Sequence, residues 1–73
     1  MPEIKFDIVQ EVSVITEYAN GWRKEINLIS WNGREAKYDI RDWSEGRKKM
    51  GKGITLSTDE LKKLRDALKK LNL

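Results

Sequence analysis

The chain contains neither cysteine nor histidine. No disulfide can therefore staple a small fold, and no structural zinc site is available. The commonest general base and the commonest thiol nucleophile are also missing, and the serines stand in no motif with a general-base partner. Carboxylate pairs such as Asp39 and Asp42 sit among cations, and no calcium-loop spacing occurs. Neither catalysis nor a cofactor is expected. No apolar run approaches the length of a membrane span. The N-terminal Met1-Pro2-Glu3-Ile4 has no basic or apolar leader segment, so no signal peptide is expected. These absences fit a soluble, cytoplasmic protein. Apolar residues are scarce as well, at 38% of 73 residues. A single domain over 1–73 with so little core barely offsets the entropy of ordering, and self-association is the common remedy; a homodimer is expected.

Charge is present in abundance but unevenly. Residues 1–20 sum to −3, residues 21–53 carry nine cations against five anions, and residues 54–73 sum to +2. The basic middle and end suggest an anionic partner.

β-Branched residues dominate residues 4–18, which read as one long bulged strand or two short ones, because the alternation of Ile4, Phe6 and Ile8 slips at Val9 and again at Ile15. Ala19-Asn20-Gly21 signals a turn. Residues 22–31 and 35–43 alternate as strands around Asn32-Gly33, a hairpin signal. A one-residue bulge or a three-residue loop there pairs Leu28 with Tyr38, Ile26 with Ile40, Glu25 with Arg41 and Arg23 with Trp43. One face is then Ile26, Leu28, Ala36, Tyr38 and Ile40, the expected core. The other carries Arg23, Glu25, Asn27, Ile29, Trp31, Lys37, Asp39, Arg41 and Trp43, the expected outer face. Residues 44–53 read as a basic loop and 54–56 as a short strand. Ser57 with Glu60 forms a capping box, opening a helix to about Leu71 whose Leu61, Leu64, Leu68 and Leu71 make an apolar seam. That seam either covers the protomer's own sheet or joins two protomers. The fold class is α+β.

Trp31 and Trp43 on a face with Arg23, Lys37 and Arg41, beside a loop holding Arg47, Lys48, Lys49 and Lys52, suit a single-stranded nucleic acid. Rings stack on unpaired bases while cations meet phosphate. Trp22 falls on the core face and is expected to be structural. Gly51-Lys52-Gly53 lacks the remainder of a phosphate-loop motif, so nucleotide hydrolysis is not indicated. Two other readings use the same face: RNA binding, since stacking does not test the 2′-hydroxyl, and a protein-interaction module docking through exposed tryptophans.

The run Tyr38-Asp39-Ile40-Arg41-Asp42-Trp43, then Gly51-Lys52-Gly53-Ile54-Thr55-Leu56 and Ser57-Thr58-Asp59-Glu60-Leu61, resembles the positive cofactor four family of transcriptional coactivators. The resemblance is to its small bacterial YdbC-like branch, extends to the hairpin Trp31-Asn32-Gly33-Arg34, and covers about residues 22–71. It implies a strongly curved four-stranded antiparallel sheet followed by a C-terminal helix, a homodimer formed through that helix at Leu61, Leu64, Leu68 and Leu71, and binding of single-stranded DNA with little sequence preference. It further implies stacking by Trp31 and Trp43, and phosphate or strand contacts by Arg34, Arg41 and Lys52. Arg23, Lys37, Lys48 and Lys49 join these as candidates from the residues alone. In a bacterium such a protein would be associated with the nucleoid.

Overall fold

The computed structural model describes residues 4–73. Residues 1–3, the start of the segment read against a signal peptide, lie outside them. The elements are β1 (Phe6–Glu17), β2 (Arg23–Trp31), β3 (Lys37–Trp43), a short 3-10 turn (Glu45–Arg47), β4 (Met50–Leu56) and α1 (Thr58–Leu68). The strands form one antiparallel sheet in chain order, so the fold is α+β with a C-terminal helix, as expected. No helix among the described residues is long and apolar enough to cross a membrane.

The slips of phase in residues 4–18 are β-bulges. β1 is one strand whose register against β2 shifts between Ile8 and Gln10, between Glu11 and Ser13, and between Val14 and Thr16. Each bulge adds local twist and bend. The β2–β3 register matches expectation, with Leu28 opposite Tyr38, Ile26 opposite Ile40, Glu25 opposite Arg41 and Arg23 opposite Trp43. Asn32 and Gly33 both take positive φ (52° and 74°), the pair a type I′ turn requires. The Arg34 N–H donates to the Trp31 carbonyl at 2.9 Å. That closure is one residue out of step with the strand pairing, so the return strand holds an extra residue before Lys37.

Two boundaries differ from expectation. β4 begins at Met50, so Gly51-Lys52-Gly53 belongs to a strand rather than to a loop. Its glycines admit protein, since a Cβ at Gly53 would collide with the Cβ of Arg41, and one at Gly51 would lie 3.1 Å from the Trp22 ring. The helix ends at Leu68 rather than near Leu71. Its last carbonyls are taken by i→i+3 bonds from Lys70 and Leu71, which tighten the chain out of the α-helix. The capping box is present: the Glu60 N–H donates to Ser57 Oγ at 3.1 Å and the Ser57 N–H to Glu60 Oε1 at 2.8 Å. A cap of this kind contributes about 1 kcal/mol.

The faces are the larger correction. Glu25, Asn27, Ile29, Asp39 and Trp43 are fully buried, and all belong to the face expected to be outside. The face expected to be the core is only half-buried, with α1 lying against it. The cause is curvature. Trp31 ends β2, while Trp43 pairs with Arg23 at its start, a separation of about 26 Å along a straight strand. Yet the Phe6 ring lies 5.8 Å from that of Trp31 and 5.1 Å from that of Trp43. The Arg41 guanidinium sits 5.0 Å from the Trp31 ring centre. The sheet is rolled, with this face inside.

Candidate nucleic-acid interface

Rolling the sheet inward forces its charged residues to satisfy one another, because a buried charge must be paired and hydrogen-bonded. Glu25 is the centre of the resulting lattice. Its Oε2 accepts from Arg23 (3.1 and 3.0 Å) and its Oε1 from Arg47 (3.1 and 2.9 Å) and Asn27 Nδ2 (3.0 Å). Arg47 also pairs with Glu11 at 2.8 Å, tying the 3-10 turn to β1. These bonds hold Arg47 at a φ of +55°, uncommon for a residue with a side chain. Asp39 accepts from Arg41 in bidentate fashion (2.7 and 2.8 Å) and from Thr55 Oγ1 (3.1 Å). A groove of about 410 Å³ runs between Glu17, Arg23, Glu25, Glu45 and Arg47.

Burial pushes the Glu25 carboxyl up, but the hydrogen bonds from Asn27, Arg47 and Arg23 together overcome this and hold it below the ordinary value of 4.5. A depressed carboxyl stabilises the fold above its unfolded-state pKa, and that stabilisation is lost as pH falls through the folded value. Glu25→Gln is therefore expected to be less stable than the parent protein at pH 7. The gap in Tm should shrink below about pH 4.5, where the parent begins to lose the same interaction. Melts from pH 7 to pH 3 would show it, and a gap that stays constant or widens would remove the lattice from the account of stability.

The candidate residues fall into three groups. Trp43 is fully buried and cannot stack on a base; its place on the face is as expected, but the face is inside. Arg23 and Arg41 are engaged by carboxylates, Arg23 with Glu17 and Glu25, and Arg41 with Asp39. Arg41 is also largely covered, its side chain 16% exposed. Trp31 is part-exposed, and Arg34, Lys37, Lys48, Lys49 and Lys52 are exposed. Among the described residues, none of these five makes an ion pair. They are not one patch. Arg34 and Lys37 lie at the Trp31 end of the hairpin, Lys48 and Lys49 border a groove with Trp22 at the other end, and Lys52 lies in β4.

Sequence reasoning missed Phe6, Glu25, Asn27, Asp39 and Arg47 as parts of this face's working structure. A signal existed for two pairs: Arg23 with Glu25 and Asp39 with Arg41 are spaced by two, and residues two apart on a strand share a face. Arg47 carried no periodic signal.

A second surface is apolar. Ile15, Ile26, Ile40, Leu61, Leu64 and Leu68 line a groove of about 510 Å³ between α1 and the sheet. Leu61 and Leu64 are half-buried, Leu68 is 50% exposed, and Leu71 lies beyond the helix at 54%.

The family model described as Transcriptional Coactivator p15 (PC4) matches residues 18–67. A protein of Treponema pallidum (strain Nichols), described as an uncharacterized protein, is 42% identical over 71 residues, covering 97% of this chain and 84% of its own length.

Proposed function

Since the chain belongs to the Transcriptional Coactivator p15 (PC4) family, a nucleic-acid-binding and non-catalytic one, we propose that it is a single-domain protein that binds single-stranded DNA with little sequence preference. The observation that carries this is the part-exposed Trp31 beside Arg34 and Lys37, cations that make no ion pair among the described residues. Trp31 stacks on a base, and Arg34, Lys37, Lys48, Lys49 and Lys52 meet phosphate. Arg23 and Arg41, whose donors are taken by Glu25 and Asp39, hold the curved face in shape. Two protomers associate through the apolar groove against α1, and the protein works in the cytoplasm, on the nucleoid of a bacterial cell.

Oligo-dT is expected to quench tryptophan fluorescence. Affinity should fall with salt at a log–log slope of about −0.7 per phosphate contacted, or roughly −3.5 for five contacts. A matched RNA oligomer and a duplex serve as competitors. Salt-insensitive binding, or preference for the duplex, would count decisively against this function, and equal binding of RNA would widen it to single strands in general.

A further inference from the structure

Trp22 and Gly51 together build a ledge. The absence of a side chain at Gly51 lets the Trp22 ring lie against β4, where a Cβ would stand 3.1 Å from its Cζ3. The ring is half-buried rather than enclosed. It borders a groove of about 310 Å³ shared with Asn20, Ser44, Glu45, Lys48 and Lys49. The Trp22 N–H is fixed by Asn20 Oδ1 at 3.0 Å and its carbonyl by the Tyr18 N–H at 2.8 Å, so the backbone carrying the ring is held on both sides.

Two features distinguish this groove from the inner one. The inner groove is lined by Glu17, Glu25 and Glu45 against Arg23 and Arg47, a balance that disfavours phosphate. The Trp22 groove has Lys48 and Lys49 against Glu45 alone, and both lysines are exposed. The grooves share Ser44 and Glu45, so one continues into the other around the end of the β2–β3 hairpin.

We propose that Trp22, with Lys48 and Lys49, is a second nucleotide subsite, where a base stacks on the indole ring and the lysines hold the adjoining phosphates. It rests on the single-stranded-DNA reading and extends it. Trp22 and Trp31 stand at opposite ends of β2, about 30 Å apart along a straight strand, so only a nucleic-acid strand long enough to span that distance engages both. Short strands occupy one subsite and longer ones both.

The test uses oligo-dT of about four and about sixteen nucleotides, the range over which single-stranded sites of this kind vary. With the longer oligomer Trp22→Ala should weaken binding about fivefold or more, and Trp22→Phe, which keeps a flat ring, less than twofold. With the shorter one the loss should be smaller. Lys48→Gln combined with Lys49→Gln should reduce the salt slope by about 1.4. A second measurement does not depend on the alanine variant folding. In Trp31→Phe the longer oligomer should still quench fluorescence, and adding Trp22→Phe should abolish it, because Trp43 is buried. Parent protein that binds while Trp22→Ala binds equally well, or Trp31→Phe that shows no quenching, overturns the subsite and leaves the function standing. Parent protein that does not bind oligo-dT overturns both.

Discussion

Trp31→Ala is expected to weaken oligo-dT binding by roughly 5- to 150-fold, the effect of losing one stacked base, while the protein stays folded. The ring is part-exposed, and its buried Nε1 has no hydrogen-bond partner among the described residues, so no bond is broken by its removal. What is lost is contact with Phe6 and the plate on which Arg41 rests. Arg41 keeps its bidentate bond to Asp39 and remains in place. Trp43→Ala should behave in the opposite way. Its side chain is fully buried against Phe6, and emptying such a site costs about 3–5 kcal/mol. A domain of this length commonly has only about 4–11 kcal/mol in hand. Denaturant melts and fluorescence titrations of the two variants separate the roles. A Trp31→Ala protein that binds as tightly as the parent, beside a folded Trp43→Ala protein that does not bind, would exchange the two assignments.

That contrast marks the boundary of what the residues disclose. The hairpin register was legible because only one pairing of β2 with β3 gathers Ile26, Leu28, Tyr38 and Ile40 on a common face. The capping box was legible because serine and glutamate three apart state their own hydrogen bonds. Two of the three bulges of β1, at Val9 and Ile15, showed as breaks in alternation; the one between Glu11 and Ser13 did not, because Val12 and Val14 alternate regularly across it. Which face lies inside was not legible. An alternating pattern says that two faces differ, and the apolar one is ordinarily turned inward. Here the curvature built by three successive bulges rolls the mixed face inward instead, and no single residue carries that information. The burial of Glu25 and Asp39 follows from the roll, and their pairing with Arg23, Arg47 and Arg41 makes it tolerable. The same curvature withdrew Trp43 and Arg41 from solvent and left Trp31, at the hairpin tip, part-exposed.

The face left outside leads to the second large effect: Leu68→Asp and Leu64→Asp are each expected to convert the proposed dimer into monomers. α1 has no buried residue, and Ile29 and Trp43 are the only fully buried apolar side chains among the described residues. The accessible surface is 5956 Å², where a compact monomer of this mass would show about 4,700 Å². The radius of gyration is 13.4 Å, against about 11 Å for a compact chain of this length. The excess surface is of the order that one partner contributes to a stable interface, about 800 Å² or more. It includes the apolar groove of Ile15, Ile26, Ile40, Leu61, Leu64 and Leu68. The two substitutions test the seam differently. Leu64 also covers its own sheet, so aspartate there costs the protomer as well as the interface. Leu68 is half-exposed in the protomer, and losing its partial burial and placing an anion at the helix C-terminus should cost an isolated protomer about 1–2 kcal/mol. Across an interface the same carboxylate would be desolvated without a partner, which costs several kcal/mol. Sedimentation should therefore find Leu68→Asp monomeric and folded, with a Tm below that of the parent because the dimer's stabilisation is gone. Dimers that persist unchanged in both variants would place the contact elsewhere, and the exposed Val9, Val12 and Val14 of β1 would be the next apolar surface to test.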